Sequence, residues 1–215
     1  HADEIFPDVD HTSTSTGHVL ENLQAIGVSP SDIDTVVLTH AHPDHVGGLL
    51  DKEGTLVFEN AQYVINGAER DFWFTEQAAE QAPPAMVETA RRTLRAIDEH
   101  VRPIEPGKEL RPGIRAKAAP GHTPGHFVLS VTSEGERLLH VADLVLHPLL
   151  MTHPDWVTGF DLDPAQAAQS RRRLLDDVAG TETLILGYHL PPFPGLGHVM
   201  DRSTGWAWRP LNAVS

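Results

Sequence analysis

The chain has 215 residues, 40% of them apolar and 21% charged, the make-up of a globular domain with enough material for a core. Sixteen basic against thirty acidic residues leave a net charge of −14, which repels phosphate backbones and argues against nucleic acid as a partner. With no cysteine there are no disulfides, thiolate nucleophiles or sulfur-held zinc, and no apolar run reaches the roughly 18 residues that span a bilayer, so no membrane segment is expected.

Residues 1–17 are polar and without a clear period. A helix is predicted from Gly17 to about Ala25, with Val19, Leu20, Leu23 and Ile26 on one face and Gly27 as its stop. A turn at Ser29-Pro30-Ser31-Asp32 feeds the run Asp34-Thr35-Val36-Val37-Leu38, which reads as a buried strand. That strand enters Thr39-His40-Ala41-His42-Pro43-Asp44-His45-Val46-Gly47-Gly48, a segment of the form H-x-H-x-D-H. Val46 to Leu50 reads as the opening of a helix, with Pro43 tolerated in its first turn. The four side chains therefore sit on a strand-to-helix corner. His40 and His42, two apart in extended chain, point the same way, while Asp44 and His45 turn towards a neighbouring spot. This pattern suggests two adjacent metal ions sharing one loop. The competing reading is that fourteen histidines make clusters easy and that a single histidine is usually structural.

Beyond the loop, Thr55 to Phe58 and Gln62 to Ile65 read as short strands, Gly67 to Phe74 as a short helix and residues 75–85 as a loop. Met86 to His100 is predicted helical, with Met86, Val87, Ala90, Leu94 and Ile97 on a buried face. Strands follow at Ile114–Ala119, His126–Thr132 and Arg137–Ala142, the last two joined by a hairpin at Ser133-Glu134-Gly135-Glu136. Asp163 caps a helix that has Pro164 at its first position and runs to about Val178. Thr183–Leu186 and Trp206–Arg209 complete the strands, and no repeat or linker divides the chain.

Three later features fall where strands end. His122 lies in the glycine- and proline-rich loop Pro120-Gly121-His122-Thr123-Pro124-Gly125-His126. Asp143 follows Leu138-Leu139-His140-Val141-Ala142, where a carboxylate in apolar surroundings needs a partner that a cation would supply. His189 follows Leu184-Ile185-Leu186-Gly187-Tyr188 in the same way.

The ordered series H-x-H-x-D-H, G-H-T-P-G-H, a strand-end aspartate and a final histidine resembles the metallo-β-lactamase superfamily over roughly residues 18–215. Asp71-Phe72-Trp73 and Phe193-Pro194-Gly195-Leu196-Gly197-His198 are similar to segments of the branch that holds methyl parathion hydrolases and N-acyl homoserine lactonases. The resemblance implies an α/β fold, an αββα sandwich, formed by residues 1–215 as a single domain. It implies that His40, His42 and His122 hold one metal ion and Asp44, His45 and His189 the other, with Asp143 bridging both. His126 is not a ligand in that family. Two departures stand out. Only 39 residues precede His40, and the strands and aspartate-threonine-glycine turn that the family carries there are not found, so the N-terminal part reads as incomplete. Leu146 occupies the position three after the bridging aspartate where some lactonases have a tyrosine.

The resemblance implies a hydrolase that attacks an ester, lactone or phosphotriester with a hydroxide bridging two divalent ions. Zinc is the default for this nitrogen and oxygen donor set, which also accepts manganese, cobalt or iron. Asp143 would position the ions and Asp44 accept a proton, making these two the catalytic carboxylates. Phe72, Trp73, Leu146, Met151 and Trp156 are candidates for an apolar substrate pocket, the alternative being that these side chains fill the core. His147 and His153 flank the same insertion as surface histidines or proton donors. The expected partner is a small-molecule substrate, and a homodimer is expected from the resemblance alone. A cytoplasmic protein is expected, with secretion or the periplasm left open because His1, not methionine, begins the sequence. An iron-dependent oxidoreductase of the same fold and a non-catalytic metal-binding member are the alternatives.

Overall fold

The computed structural model describes residues 17–211. The chain divides into two compact units, at residues 1–104 and 105–215.

In the first unit, α1 (Val19–Ala25) leads through a 3-10 turn at Pro30–Asp32 into β1 (Thr35–Leu38). Gly27 takes a φ of +77° after α1, the left-handed backbone that ends a helix at a glycine. The strand β1 pairs in parallel with β2 (Gln62–Asn66), and β2 pairs in parallel with β3 (Val101–Ile104). Parallel neighbours need a crossover, and helices supply it. After β1 comes the four-residue α2 (Pro43–Val46); after β2 come α3 (Gly67–Phe72), α4 (Glu76–Gln81) and α5 (Pro84–Ala96). The apolar spacing of α5 holds: Met86, Val87, Ala90 and Leu94 are buried, with Ile97 just beyond the helix. Tyr63, Val64 and Ile65 of β2, buried completely, form the centre of this core.

Three expectations for this unit fail. Thr55–Phe58 is not a strand; Leu56 makes one isolated bridge to Leu50. Residues 75–85 are not all loop, because the Thr75 hydroxyl caps Ala78 N–H and starts α4. The long helix starts at Pro84 and stops at Ala96, four residues before His100, and Val101–Ile104 forms a strand that the reading missed.

The second unit is a seven-stranded sheet in the order β10-β9-β8-β7-β6-β5-β4. Its strands are β4 (Glu109–Arg111), β5 (Ile114–Ala118), β6 (Phe127–Ser133), β7 (Glu136–His140), β8 (Leu184–Leu186), β9 (Leu196–Arg202) and β10 (Gly205–Pro210). The expected hairpin joins β6 to β7, and its two central residues, Glu134 and Gly135, have φ of +51° and +86°. Positive φ at both positions gives the turn twist that matches paired strands. Between β7 and β8 the chain forms α6 (Leu149–Thr152) and α7 (Pro164–Val178). Asp163 caps α7 by accepting Gln166 N–H at 3.0 Å. The helix buries Ala167, Ser170, Arg171, Leu174, Leu175 and Val178, a stripe with steps of three and four. Leu139, Ile185, Val199 and Met151 belong to the same core. Two further strands carry no clear sequence signal: β4 is three residues long, and β9, at seven residues, is interrupted by glycine and histidine.

Candidate metal centre

Strand direction explains where the ligands fall. In the second unit β7 and β8 are parallel, with His140 opposite Leu186. Asp143 lies three residues beyond His140 and His189 three beyond Leu186, so both emerge at the same edge of the sheet. The strand β5 is antiparallel to β6, which is antiparallel to β7, so the loop after Ala118 that carries His122 leaves by that edge too. Carboxyl ends of strands are where α/β sheets place binding sites.

The result is tight. One oxygen of Asp143, Oδ2, lies 3.4 Å from His122 Nε2 and 3.4 Å from His189 Nε2. His122 and Asp143 are buried, while His189 is about one-third exposed. The other nitrogen of His122, Nδ1, is 2.9 Å from Asp161 Oδ1. Burial alone would depress the His122 imidazolium, but its hydrogen bonds to Asp143 and Asp161 outweigh that and raise its pKa above the ordinary value. The local field therefore favours a cation. Burial would likewise raise the Asp161 carboxyl, yet the His122 hydrogen bond, with Arg171 nearby, holds it below its usual range.

The loop that presents His122 is fixed by close packing. Gly121 has a φ of +129°, and a Cβ there would lie 2.0 Å from Ala167 N at the start of α7. Its carbonyl accepts Asp163 N–H at 2.8 Å, and the His122 carbonyl accepts Leu162 N–H at 3.1 Å. His126 has a different task. Its Nε2 accepts the Asp143 N–H at 3.3 Å, so its Nδ1 carries the proton and donates to the Ala119 carbonyl at 3.0 Å. Both ring nitrogens are engaged with backbone, and the ring ties the Asp143 turn to the His122 loop.

In the first unit, β1 ends at Leu38 and the H-x-H segment follows, with His40 and His42 buried and His45 nearly so. His42 is extended (φ −65°, ψ 151°) and precedes Pro43 at the first position of α2, as that sequence order favours. Its carbonyl accepts His45 N–H at 3.0 Å and Val46 N–H at 3.1 Å. The rings of His40 and His42 lie 4.8 Å apart, and those of His40 and His45 4.1 Å. Thr39 Oγ1 is 3.2 Å from His40 Nδ1. The Asp44 side chain is half exposed, 3.4 Å from His45 Nε2. A buried carboxylate braces this loop: Glu69 Oε1 accepts Ala41 N–H at 3.0 Å and Trp73 Nε1–H at 2.8 Å. The Trp73 ring in turn lies 5.6 Å from that of His42. Glu69, Asp161 and Arg171 went unnoticed in the sequence, since nothing in their spacing ties them to a ligand.

The candidate pocket residues separate. Trp73 and Met151 are completely buried and Phe72 almost so, while Leu146 packs against the core of the second unit. Trp156 is half exposed, stacked on His153 with ring centroids 4.2 Å apart. These two line a cleft of about 530 Å³ with Arg172, Asp176, Asp201 and Trp206, a lining that includes none of the seven candidate ligands among the described residues. No helix among the described residues is long and apolar enough to cross a membrane.

Residues 11–189 match the model of the metallo-beta-lactamase superfamily. N-acyl homoserine lactonase of Bacillus thuringiensis is 26% identical over 178 residues, covering 82% of this chain and 63% of that protein. Ribonuclease TTHA0252 of Thermus thermophilus is 32% identical over 127 residues, covering 57% of this chain and 28% of that protein. Among solved structures, AidC, a dizinc quorum-quenching lactonase in complex with a product, superposes with a TM-score of 0.84 at 36% identity. That likeness covers 93% of this chain and 71% of AidC. The hydrolase AbOPH gives 0.82 at 30% identity over the same shares. The chain spans between 28% and 63% of the length of these curated relatives.

Proposed function

The chain belongs to the metallo-beta-lactamase superfamily, and from that premise we propose that it is a hydrolase using two divalent metal ions, zinc by default, to open a lactone. The observation that carries the proposal is Asp143 Oδ2, placed at 3.4 Å from two imidazoles that arrive from different loops. A carboxylate oxygen in that position suits a ligand shared by two ions. In this reading His40, His42 and His122 hold one ion, Asp44, His45 and His189 hold the second, and Asp143 bridges them. The donor chemistry fits: five imidazoles and two carboxylates are the nitrogen and oxygen set that zinc accepts without thiolate.

When bound, such a pair of ions supplies a water of lowered pKa and polarises the carbonyl under attack. The chain's own residues do the rest. His126 and Asp161 hold the Asp143 turn and the His122 ring from behind, and Glu69 holds the H-x-H loop. Asp44, half exposed where His40 and His42 are buried, is the carboxylate that this reading assigns to take up a proton and pass it to solvent. Leu146 cannot offer the substrate carbonyl a hydroxyl, so that contact must come from elsewhere or be absent.

Lactone is favoured over ester and phosphotriester because lactonases recur among the relatives, in sequence over 82% of the chain and in structure at 36% identity. The ribonuclease match covers little of that protein, and a net charge of −14 opposes a polyanionic substrate. A homodimer belongs to the same reading on resemblance alone. The test compares kcat/KM of the zinc-loaded protein on an N-acyl homoserine lactone, a p-nitrophenyl ester and a paraoxon-type triester. The lactone is expected to lead; a higher value for either of the others overturns the substrate assignment.

A further inference from the structure

The buried stripe of α7 consists of small or apolar side chains, with one exception. Arg171, in its middle, is 1% exposed. A cation so placed is costly unless it is paired and hydrogen-bonded, and an apolar residue of similar volume would often serve stability as well or better. Its retention therefore asks what its geometry achieves. Arg171 Nε donates to the Leu144 carbonyl at 2.8 Å. One terminal nitrogen donates to the carbonyls of Pro154 at 2.7 Å and Trp156 at 3.0 Å. The other forms an ion pair, without a hydrogen bond, 3.5 Å from Asp161 Oδ2, an oxygen that also accepts the Thr158 N–H at 3.3 Å. The opposite oxygen of Asp161 meets His122 Nδ1 at 2.9 Å.

We infer that Arg171 and Asp161 form a positioning pair that sets two metal ligands from one rigid fork. Through Asp161, the guanidinium fixes the plane and tautomer of His122, with Nδ1 protonated and Nε2 turned to the metal. Through the Leu144 carbonyl it fixes the turn that carries Asp143 next in sequence. The same fork clamps the backbone at Pro154 and Trp156, so the insertion after β7 is held to the centre by the same residue. A lysine would keep the charge but offers a point of donation in place of a planar fork, and could not serve these directions together. Neither residue touches the reacting atoms; both act through ligands.

The inference rests on reading His122 and Asp143 as ligands, so its test must fail separately from that reading. Zinc affinity of the full chain is measured by competition with a chromophoric chelator, and the ligand field is read from the absorption of the cobalt-substituted protein. Asp161→Asn, close to isosteric, and Arg171→Lys are each expected to weaken binding about 10- to 100-fold and to shift the cobalt bands. His122→Ala is run beside them. If His122→Ala loses affinity while both positioning variants keep wild-type affinity and spectrum, the positioning role is wrong. Should His122→Ala also bind like wild type, the ligand assignment itself falls, and the inference with it.

Discussion

The Glu69 carboxylate accepts the backbone N–H of Ala41 at 3.0 Å, in the middle of the H-x-H segment, although 28 residues separate the two in sequence. The same oxygen accepts the indole N–H of Trp73, one helical turn on. Strand β2 delivers Glu69 to this place, because it runs parallel to β1 with Ile65 opposite Leu38, the last residue of β1, and ends one residue later at Asn66. Glu69→Ala removes the acceptor of two buried donors, each worth about 1–3 kcal/mol when left unsatisfied. Its unfolding midpoint in denaturant should fall accordingly. Zinc affinity should drop as well, because His40 and His42 flank the amide that is released.

His126 and the candidate ligand His122 are predicted to play different roles. With both ring nitrogens committed to backbone, His126→Ala is expected to lower the melting temperature while leaving two zinc ions per chain. His122→Ala is expected to reduce the metal content. Elemental analysis of the two variants after equal zinc loading gives the comparison, and loss of metal in His126→Ala alone would reverse the two roles.

Gly121 permits a close approach that no side chain tolerates. At a φ of +129° and with the Ala167 backbone nitrogen 2.0 Å from where a Cβ would stand, Gly121→Ala must displace either its own loop or the start of α7. A loss of about 2 kcal/mol or more in stability is expected from overpacking and backbone strain together. Thermal unfolding of the variant measures it. Gly135→Ala, which meets open space at its Cβ, is the control for positive φ alone.

Asp177 ties α7 to its sheet, with Arg137 of β7 at 2.7 Å and Lys117 of β5 at 3.3 Å. The Arg137 hydrogen bond, with Lys117 assisting, holds the Asp177 carboxyl below its ordinary value. A depressed carboxylate stabilises the fold above its unfolded pKa of about 4, and that contribution is lost as pH falls through the lower folded value. Asp177 is half exposed, so solvent screening limits the effect to less than about 1 kcal/mol. Urea midpoints of wild type and Asp177→Asn should differ at pH 7, converge near pH 2, and converge at pH 7 in about 1 M salt.

The seven candidate ligands were legible in the sequence because metal-binding residue types stand together at a strand-to-helix corner, in a glycine-rich loop or just beyond a strand. The helix α7 was legible because Asp163, Pro164 and a clean apolar period state its start and its face. The strands β4 and β9 were not, since a three-residue strand or a glycine-interrupted run carries no period until a neighbour pairs with it. Glu69 and Arg171 escaped for a related reason. A lone charge on a helix reads as solvated surface, and only the tertiary fold reveals that each is buried against the backbone of a loop bearing candidate ligands. The pocket residues could not be ranked because an aromatic beside the loop, such as Trp73, has the same sequence signature whether it meets substrate or fills the core.

We propose that two divalent ions, held by these side chains, make the chain a lactone hydrolase. Metal-free protein titrated with zinc, with lactone opening followed by proton release at each addition, tests it most directly. Activity should rise with added zinc, level off at two equivalents per chain, and vanish when a chelator is added. Two bound zinc ions without lactone opening, or opening that survives complete metal removal, would overturn the proposed function.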